Sequence, residues 1–334
     1  VNLRENDYLI NNTNRMMSIY PELNWVTLEK GNINSFFNDY RPAIGPDGKA
    51  VVFERISYSP ELRTLVTKLF IVHDLNKPSP QLFLADCDFP QQTRPAWTGN
   101  AIVLNLEQEG RLAVWTVDVS GNNLKQIENT EHCNYPQWAI DPSFEGFVVM
   151  NNKKSLHQPQ PHSTLFDVDG NRIIANMNGK DTNGNMVFGG MPAVFPDNPR
   201  SIAFAGQSSA DGSYNQEENY IFLNIENGEE FLSVPMESSA SLEHFDKHFQ
   251  GRAPAISPDG NYIAFESNRD GGYALYLFNL NKPENGAVQL TDSTVKLNAQ
   301  HPKFFPDGSR LIFSAVPPGH VHNCIAWMDI SGYL

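Results

Sequence analysis

Cysteine is scarce in this chain. Cys87, Cys133 and Cys324 are an odd number, widely scattered, with no Cys-x-x-Cys spacing. That excludes a disulfide-built scaffold and a cysteine-ligated zinc site; three unpaired thiols are the leading expectation, and one disulfide plus one free thiol is the alternative. Basic residues are also in short supply, with 24 Lys and Arg against 38 Asp and Glu, a net charge of −14. Such a balance argues against nucleic acid or an anionic membrane as a partner. No apolar run approaches the roughly 18 residues of a membrane span. No signal peptide is visible at Val1-Asn2-Leu3-Arg4, and the missing initiator Met suggests a trimmed or mature chain. A periplasmic or secreted monomer is the expectation. Three enzyme signatures are missing as well: the Gly-x-Ser-x-Gly elbow, the His-Glu-x-x-His pair and a phosphate-cradling glycine loop.

What the chain does have is repetition. Ala253 to Asn279 reads as three short strands and two tight turns. Pro254-Ala255-Ile256 is the first strand, Ser257-Pro258-Asp259-Gly260 a turn, and Tyr262 to Glu266 a strand rich in β-formers. Asn268-Arg269-Asp270-Gly271 turns the chain again into Tyr273 to Asn279, and Gln289-Leu290-Thr291 supplies a fourth strand. Equivalent copies start at Pro42, Pro95, Pro136, Pro192 and Pro302. With Pro254 they make six, roughly 40 to 60 residues apart, the period of propeller blades. A proline there is expected at a strand start, where no ladder donor is lost. The last copy runs out of chain before its fourth strand, and Trp25-Val26-Thr27-Leu28 matches Val288-Gln289-Leu290-Thr291. An N-terminal strand closing the last blade is therefore expected, which removes two open sheet edges.

The unit Ser257-Pro258-Asp259-Gly260, Ile263-Ala264-Phe265, Ser267-Asn268-Arg269-Asp270-Gly271 and Leu275-Tyr276 resembles the TolB-like propeller repeat, also found in tricorn and prolyl-oligopeptidase-type propellers. The fifth copy matches best, the first and sixth well, and the second to fourth lack the full Pro-Asp-Gly turn. The resemblance implies an all-β fold, a six-bladed β-propeller of four-stranded antiparallel blades. An arm over residues 1–20 would precede one propeller over 21–334, with blades at about 35–85, 86–130, 131–180, 181–238, 239–293 and 294–334 plus 21–31. Function follows from such a platform only weakly. Propeller peptidases carry a separate hydrolase domain and TolB an extra α/β domain, neither of which this sequence contains. Oligogalacturonate-lyase-type propellers work with histidine and a metal on one face, but their motif has no residue-by-residue match here.

Two faces are expected. Pro-Asp-Gly turns open on one, and longer segments (57–67, 151–162, 206–218 and 316–323) on the other. Arg41, Arg94, Tyr135, Met191, Ala253 and His301 directly precede the six prolines and should ring the channel mouth, with Arg252 one place earlier. Arg41, Arg94, Arg252, Tyr135 and His301 are the candidate ligand-binding residues, since forked guanidinium bonds suit a carboxylate or an acidic sugar. The competing reading pairs each arginine with Asp39, Glu131, Glu243 or Asp246. Eight of nine histidines fall toward the same face: His132, His157, His162, His244, His248, His301, His320 and His322. Among them His301, His320 and His322 are the candidate set for a divalent metal. Tyr58, Tyr214 and Tyr220 could stack on a sugar or peptide, while Phe53, Phe204, Phe265 and Phe313 read as packing between blades. The leading function is a stand-alone binding module for a protein or an anionic small ligand or glycan. The alternative is a uronate lyase on the same face, with Tyr135 or His301 as base beside Arg41 or Arg94.

Overall fold

The computed structural model describes residues 23–28, 37–108, 110–152, 160–215, 217–228, 230–238, 242, 245, 249–292 and 297–334. Six four-stranded antiparallel sheets form a six-bladed propeller. Blade I runs through Phe37–Ile44, Val51–Ser59, Thr64–Val72 and Gln81–Leu82. Blade II holds Gln92–Thr98, Ala101–Gln108, Arg111–Asp118 and Lys125–Gln126, and blade III Cys133–Asp141, Phe144–Asn151, His162–Asp167 and Arg172–Ile174. Met186–Phe195, Asn198–Ser209, Tyr220–Asn227 and Glu230–Pro235 make blade IV, and Gly251–Ile256, Tyr262–Ser267, Ala274–Asn279 and Ala287–Gln289 blade V. Blade VI contains Gln300–Phe304, Arg310–Ala315 and Cys324–Asp329, and its fourth strand is Asn24–Trp25. The expected arm over residues 1–20 lies outside the described residues.

The core is distributed between blades. Val51 and Phe53 of blade I cluster with Phe305, Ile312 and Ile325 of blade VI, and Val52 clusters with Ile102 and Leu104 of blade II. In four blades an aromatic of the second strand stacks on its partner across the ladder: Phe53 on Phe70, Phe147 on Phe166, Phe204 on Phe222 and Phe265 on Tyr276. Phe53, Phe204, Phe265 and Phe313 are wholly buried, as expected of packing residues. No disulfide joins Cys87, Cys133 and Cys324.

Two expectations need correction. The leading prolines do not start strands: Pro42 is sixth in Phe37–Ile44 and Pro254 fourth in Gly251–Ile256. They are tolerated because the first strand of each blade is an edge strand, whose unpaired side faces the channel. Segment 57–67 is also not a long loop, because Val51–Ser59 and Thr64–Val72 pair out to Ser59 and Thr64 and leave only a short turn.

Ring closure follows the expected route. Asn24 and Trp25 pair with Trp327 and Ala326, the Val26 N–H donates to the Ile325 carbonyl at 2.8 Å, and the Ile325 N–H donates to Thr27 Oγ1 at 2.9 Å. Val26 is buried between the first and last blades. Val26→Asp would place a carboxylate in that seam and should lower unfolding free energy by about 3 kcal/mol or more. A urea midpoint equal to that of the wild type would show that the seam does not hold the ring.

Candidate functional site

Each inner strand carries the same irregularity. Its register with the second strand slips at Tyr40/Ala43, Thr93/Ala96, Asn134/Gln137, Gly190/Ala193, Arg252/Ala255 and Gln300/Lys303. The two residues inside each slip are the X-Pro pairs found in the sequence, so each pair is a bulge. X is left-handed in all six, with φ of 46° at Arg41, 54° at Arg94, 52° at Tyr135, 53° at Met191, 46° at Ala253 and 56° at His301. A non-glycine residue in this region costs on the order of 1–3 kcal/mol, and a following proline also disfavours it.

Buried acceptors from the neighbouring blade hold three of these residues in place. The Arg94 N–H donates to Glu54 Oε1 (2.5 Å), the Tyr135 N–H to Asn105 Oδ1 (3.1 Å) and the His301 N–H to Glu266 Oε2 (2.7 Å). Glu54, Asn105 and Glu266 occupy one equivalent second-strand position and are at most 1% exposed. The two bonds to carboxylates are charge-assisted and contribute about 1.5–3 kcal/mol each, enough to offset the backbone cost, while the bond to the neutral Asn105 amide contributes about 1 kcal/mol. The same position is Met150 in blade III and Ala205 in blade IV, which leaves room on that side of the channel. Gly190 is needed beside it, since a Cβ there would stand 2.1 Å from Met150 Cγ.

The bulges set the channel chemistry. Arg41, Arg94, Tyr135 and His301 surround one constriction of about 40 Å³ together with Met191, Ala253 and the bulge prolines. Arg252, Arg94 and Tyr135 also line an adjoining cavity of about 400 Å³ over blades III and IV. The sequence places the five candidate residues together at the axis; the structure puts Arg41, Arg94, Tyr135 and His301 at a waist within the channel and Arg252 in the wall of the adjoining cavity.

Their ion pairs differ from the expected ones. Arg41 Nη1 donates to Glu54 Oε2 at 2.7 Å, and Arg252 Nε and Nη2 donate to Glu266 Oε1 at 2.9 and 2.7 Å. Asp39 is taken by Arg55, while Glu243 and Asp246 lie outside the described residues. The sequence signal for Glu54 and Glu266 was a carboxylate directly after Val-Val-Phe and Ile-Ala-Phe, where a strand must be buried. Among the described residues Arg94 has no side-chain carboxylate partner. Its guanidinium lies 4.5 Å from the centre of the Tyr135 ring, Nη1 donates to Thr93 Oγ1, and Nε is buried without an acceptor. Asn134, nine-tenths buried in the wall of the larger cavity, has an Oδ1 with no donor.

Burial works to raise the Tyr135 phenol, but the Arg41 and Arg94 guanidiniums and a hydrogen bond to Arg94 outweigh it, so the group lies below the usual phenol range. Burial, then the charges of Arg41, Arg252, Lys303 and Arg94, hold His301 well below the ordinary imidazole range, so it is neutral at pH 7. Its Nδ1 stands 3.5 Å from Glu266 Oε2.

The candidate metal set is not assembled. His301 is buried in the inner strand of blade VI, whereas His320 and His322 sit in the turn before Cys324. Among the described residues no group of three or more His, Cys, Asp or Glu is placed to hold a metal ion. Two of the expected stacking aromatics are committed elsewhere: Tyr220 packs edge-on against Phe249, and Tyr58 stands exposed outside the cavity. Tyr214 does reach the cavity and donates to Asn219 Oδ1 at 3.1 Å. Asn134, Asn152, Met150 and Ala205 also line it and were not singled out by sequence. His157, His244 and His248 lie outside the described residues.

No family model and no curated protein matches this sequence. Solved structures do. The tricorn protease is 14% identical with a TM-score of 0.54, over 84% of this chain and 25% of that chain. An oligogalacturonate lyase in complex with manganese is 12% identical with a TM-score of 0.47, over 92% of both chains. TolB from Acinetobacter baumannii is 12% identical with a TM-score of 0.38, over 88% of this chain and 52% of that chain. The likeness is one of fold. This chain spans about half the length of that TolB and a quarter of the tricorn protease. No helix among the described residues is long and apolar enough to cross a membrane.

Two stability tests follow from the waist. Glu54→Leu leaves Arg41 unpaired and the Arg94 N–H without its acceptor, and should cost about 2–4 kcal/mol in urea unfolding, with Glu54→Gln near half of that. A loss under about 0.5 kcal/mol for the leucine variant would remove Glu54 from this role. As pH falls below about 6.5, the unfolded chain takes up an imidazole proton that folded His301 refuses, so stability falls by at most about 1.4 kcal/mol per pH unit from this group. Unfolding of His301→Gln at pH 7 and pH 5.5 should show a shallower loss; an equal loss would contradict a neutral His301.

Proposed function

We propose that this chain is a binding module for a small, hydroxylated anion, with an acidic sugar as the leading class, held in the cavity over blades III and IV. The observation that carries the reading is Arg94. Arg41 and Arg252 are each neutralised by a glutamate, whereas Arg94, among the described residues, keeps an uncompensated guanidinium beside a cavity of about 400 Å³. A carboxylate can accept two parallel bonds from such a group. Asn134 Oδ1 offers an acceptor for a ligand hydroxyl, and Met150, Pro161, Met191 and Ala205 supply an apolar floor. The volume lies within the roughly 300–1,000 Å³ of small-molecule sites, which favours a small ligand over a protein surface. A local excess of positive charge in a protein of net charge −14 also draws an anion to this one mouth.

Tyr135 supports a second reading at the same site. A phenol held below its usual range between two arginines is suited to take the proton beside a uronate carboxylate while the arginines neutralise the developing charge. The glycosidic C–O bond on the adjacent carbon would then break, leaving an unsaturated sugar and a free chain end.

Calorimetric titration with galacturonate, glucuronate and their oligomers, with neutral galactose as control, tests both readings. Acidic ligands should bind and galactose should not, and Arg94→Ala should weaken binding by about 10–100-fold. Equal affinity in Arg94→Ala, or no binding by any acidic ligand, would defeat the binding reading. Ultraviolet absorbance of unsaturated product, lost in Tyr135→Phe with binding retained, would establish the lyase instead.

A further inference from the structure

Beyond the waist, on the face of the Pro-Asp-Gly turns, lies a second cavity of about 410 Å³. Its build follows directly from the repeat. The residue after each bulge proline is Ala43, Ala96, Gln137, Ala193, Ala255 or Lys303. Four alanines keep the channel wide, while the two long polar side chains come from opposite blades, III and VI. Lys303 Nζ donates to Gln137 Oε1 at 3.0 Å, a bar across the axis. Gln137 and Lys303 line both this cavity and the waist, so the bar divides the channel into two separate chambers.

The next residue in each inner strand is Ile44, Trp97, Trp138, Val194, Ile256 or Phe304. These six side chains make an apolar wall, five of them half-buried. Both tryptophans already place their indole N–H, Trp97 on the Gly99 carbonyl and Trp138 on the Ala96 carbonyl, so their rings offer apolar surface rather than donors. Lys303 is the charged group in the wall of this chamber. Among the described residues it makes no ion pair, and its one hydrogen bond leaves two of three donors for a ligand. Burial holds its ammonium down to about 8, still mostly cationic at neutral pH. A buried cation in this wall therefore lacks, among the described residues, the counter-charge that such groups ordinarily have.

We propose that this chamber is a second ligand site, independent of the Arg94 cavity, for a small monocarboxylate with an apolar body. The body would lie against Trp97, Trp138 and Phe304, and the carboxylate would accept hydrogen bonds from Lys303 Nζ. The direction of selectivity follows: an alcohol of the same body forfeits the charge, and an amine is repelled.

Octanoate, octan-1-ol and octylamine serve as probes, followed by calorimetry and by the fluorescence of Trp97 and Trp138. Octanoate should bind at least ten-fold more tightly than octan-1-ol, and octylamine should not bind. Lys303→Met should weaken octanoate at least ten-fold and leave octan-1-ol unchanged. Gln137→Glu, which sets a carboxylate of the same shape opposite the ammonium, should weaken octanoate to a similar degree and covers the case in which Lys303→Met fails to fold. Val194→Trp, which fills the chamber, should abolish binding of both ligands, whereas Arg94→Ala should leave octanoate untouched. No octanoate binding at millimolar concentration, or equal octanoate affinity in Lys303→Met or Gln137→Glu, would overturn the proposal. Loss of octanoate binding in Arg94→Ala would also overturn it, by placing the carboxylate in the other chamber.

Discussion

A left-handed residue in front of a proline is an uncomfortable piece of backbone, and this ring contains six. Carboxylates and an amide from the neighbouring blade make it tenable where they reach across to the strained N–H. Because Glu54, Asn105 and Glu266 are buried, each bond forms away from competing water and keeps most of its strength. The second oxygen of each anchoring glutamate neutralises an arginine, Glu54 Oε2 pairing with Arg41 and Glu266 Oε1 with Arg252. One set of buried carboxylates therefore does two tasks: it joins sheet to sheet, and it decides which cations remain available inside the channel.

The ring is six-fold in backbone but not in chemistry. At the anchoring position, blades I, II, V and VI carry Glu54, Asn105, Glu266 and Ser314, while blades III and IV carry Met150 and Ala205. The polar side is filled by its own ion pairs. The apolar side is left hollow, and the cavity forms there. Arg94 sits at the border between these halves, held by Glu54 through its backbone and not through its side chain. That is why, among the described residues, Arg94 keeps a guanidinium without a carboxylate while Arg41 and Arg252 are paired.

One step further along the inner strands, the pattern changes again. Four alanines and one Lys303–Gln137 bar lie between the arginine-lined waist and the chamber on the Pro-Asp-Gly face. A propeller builds such layers cheaply, because a single sequence position recurs six times around the axis. Substitution at two opposed copies is enough to close a channel that the other four leave open.

Much of this was legible in the chain itself. The six X-Pro units, three of them followed by a Pro-Asp-Gly turn, with Val51-Val52-Phe53 and its counterparts, specify six small sheets; because each needs neighbours to bury its faces, they specify a closed ring as well. The likeness of Trp25–Leu28 to Val288–Thr291 was enough to predict which strand closes it. Local repetition also placed Arg41, Arg94, Tyr135, Arg252 and His301 near one axis, since equivalent positions in a ring must converge. What sequence could not decide was how those side chains spend their charge. The pairing of Arg41 with Glu54, the isolation of Arg94, the neutrality of His301, the separation of His301 from His320 and His322, and the reach of Lys303 to Gln137 depend on distances between strands far apart in the chain. Those distances arise only when the ring closes, because Coulomb and hydrogen-bond energies depend on position in space rather than on order along a backbone.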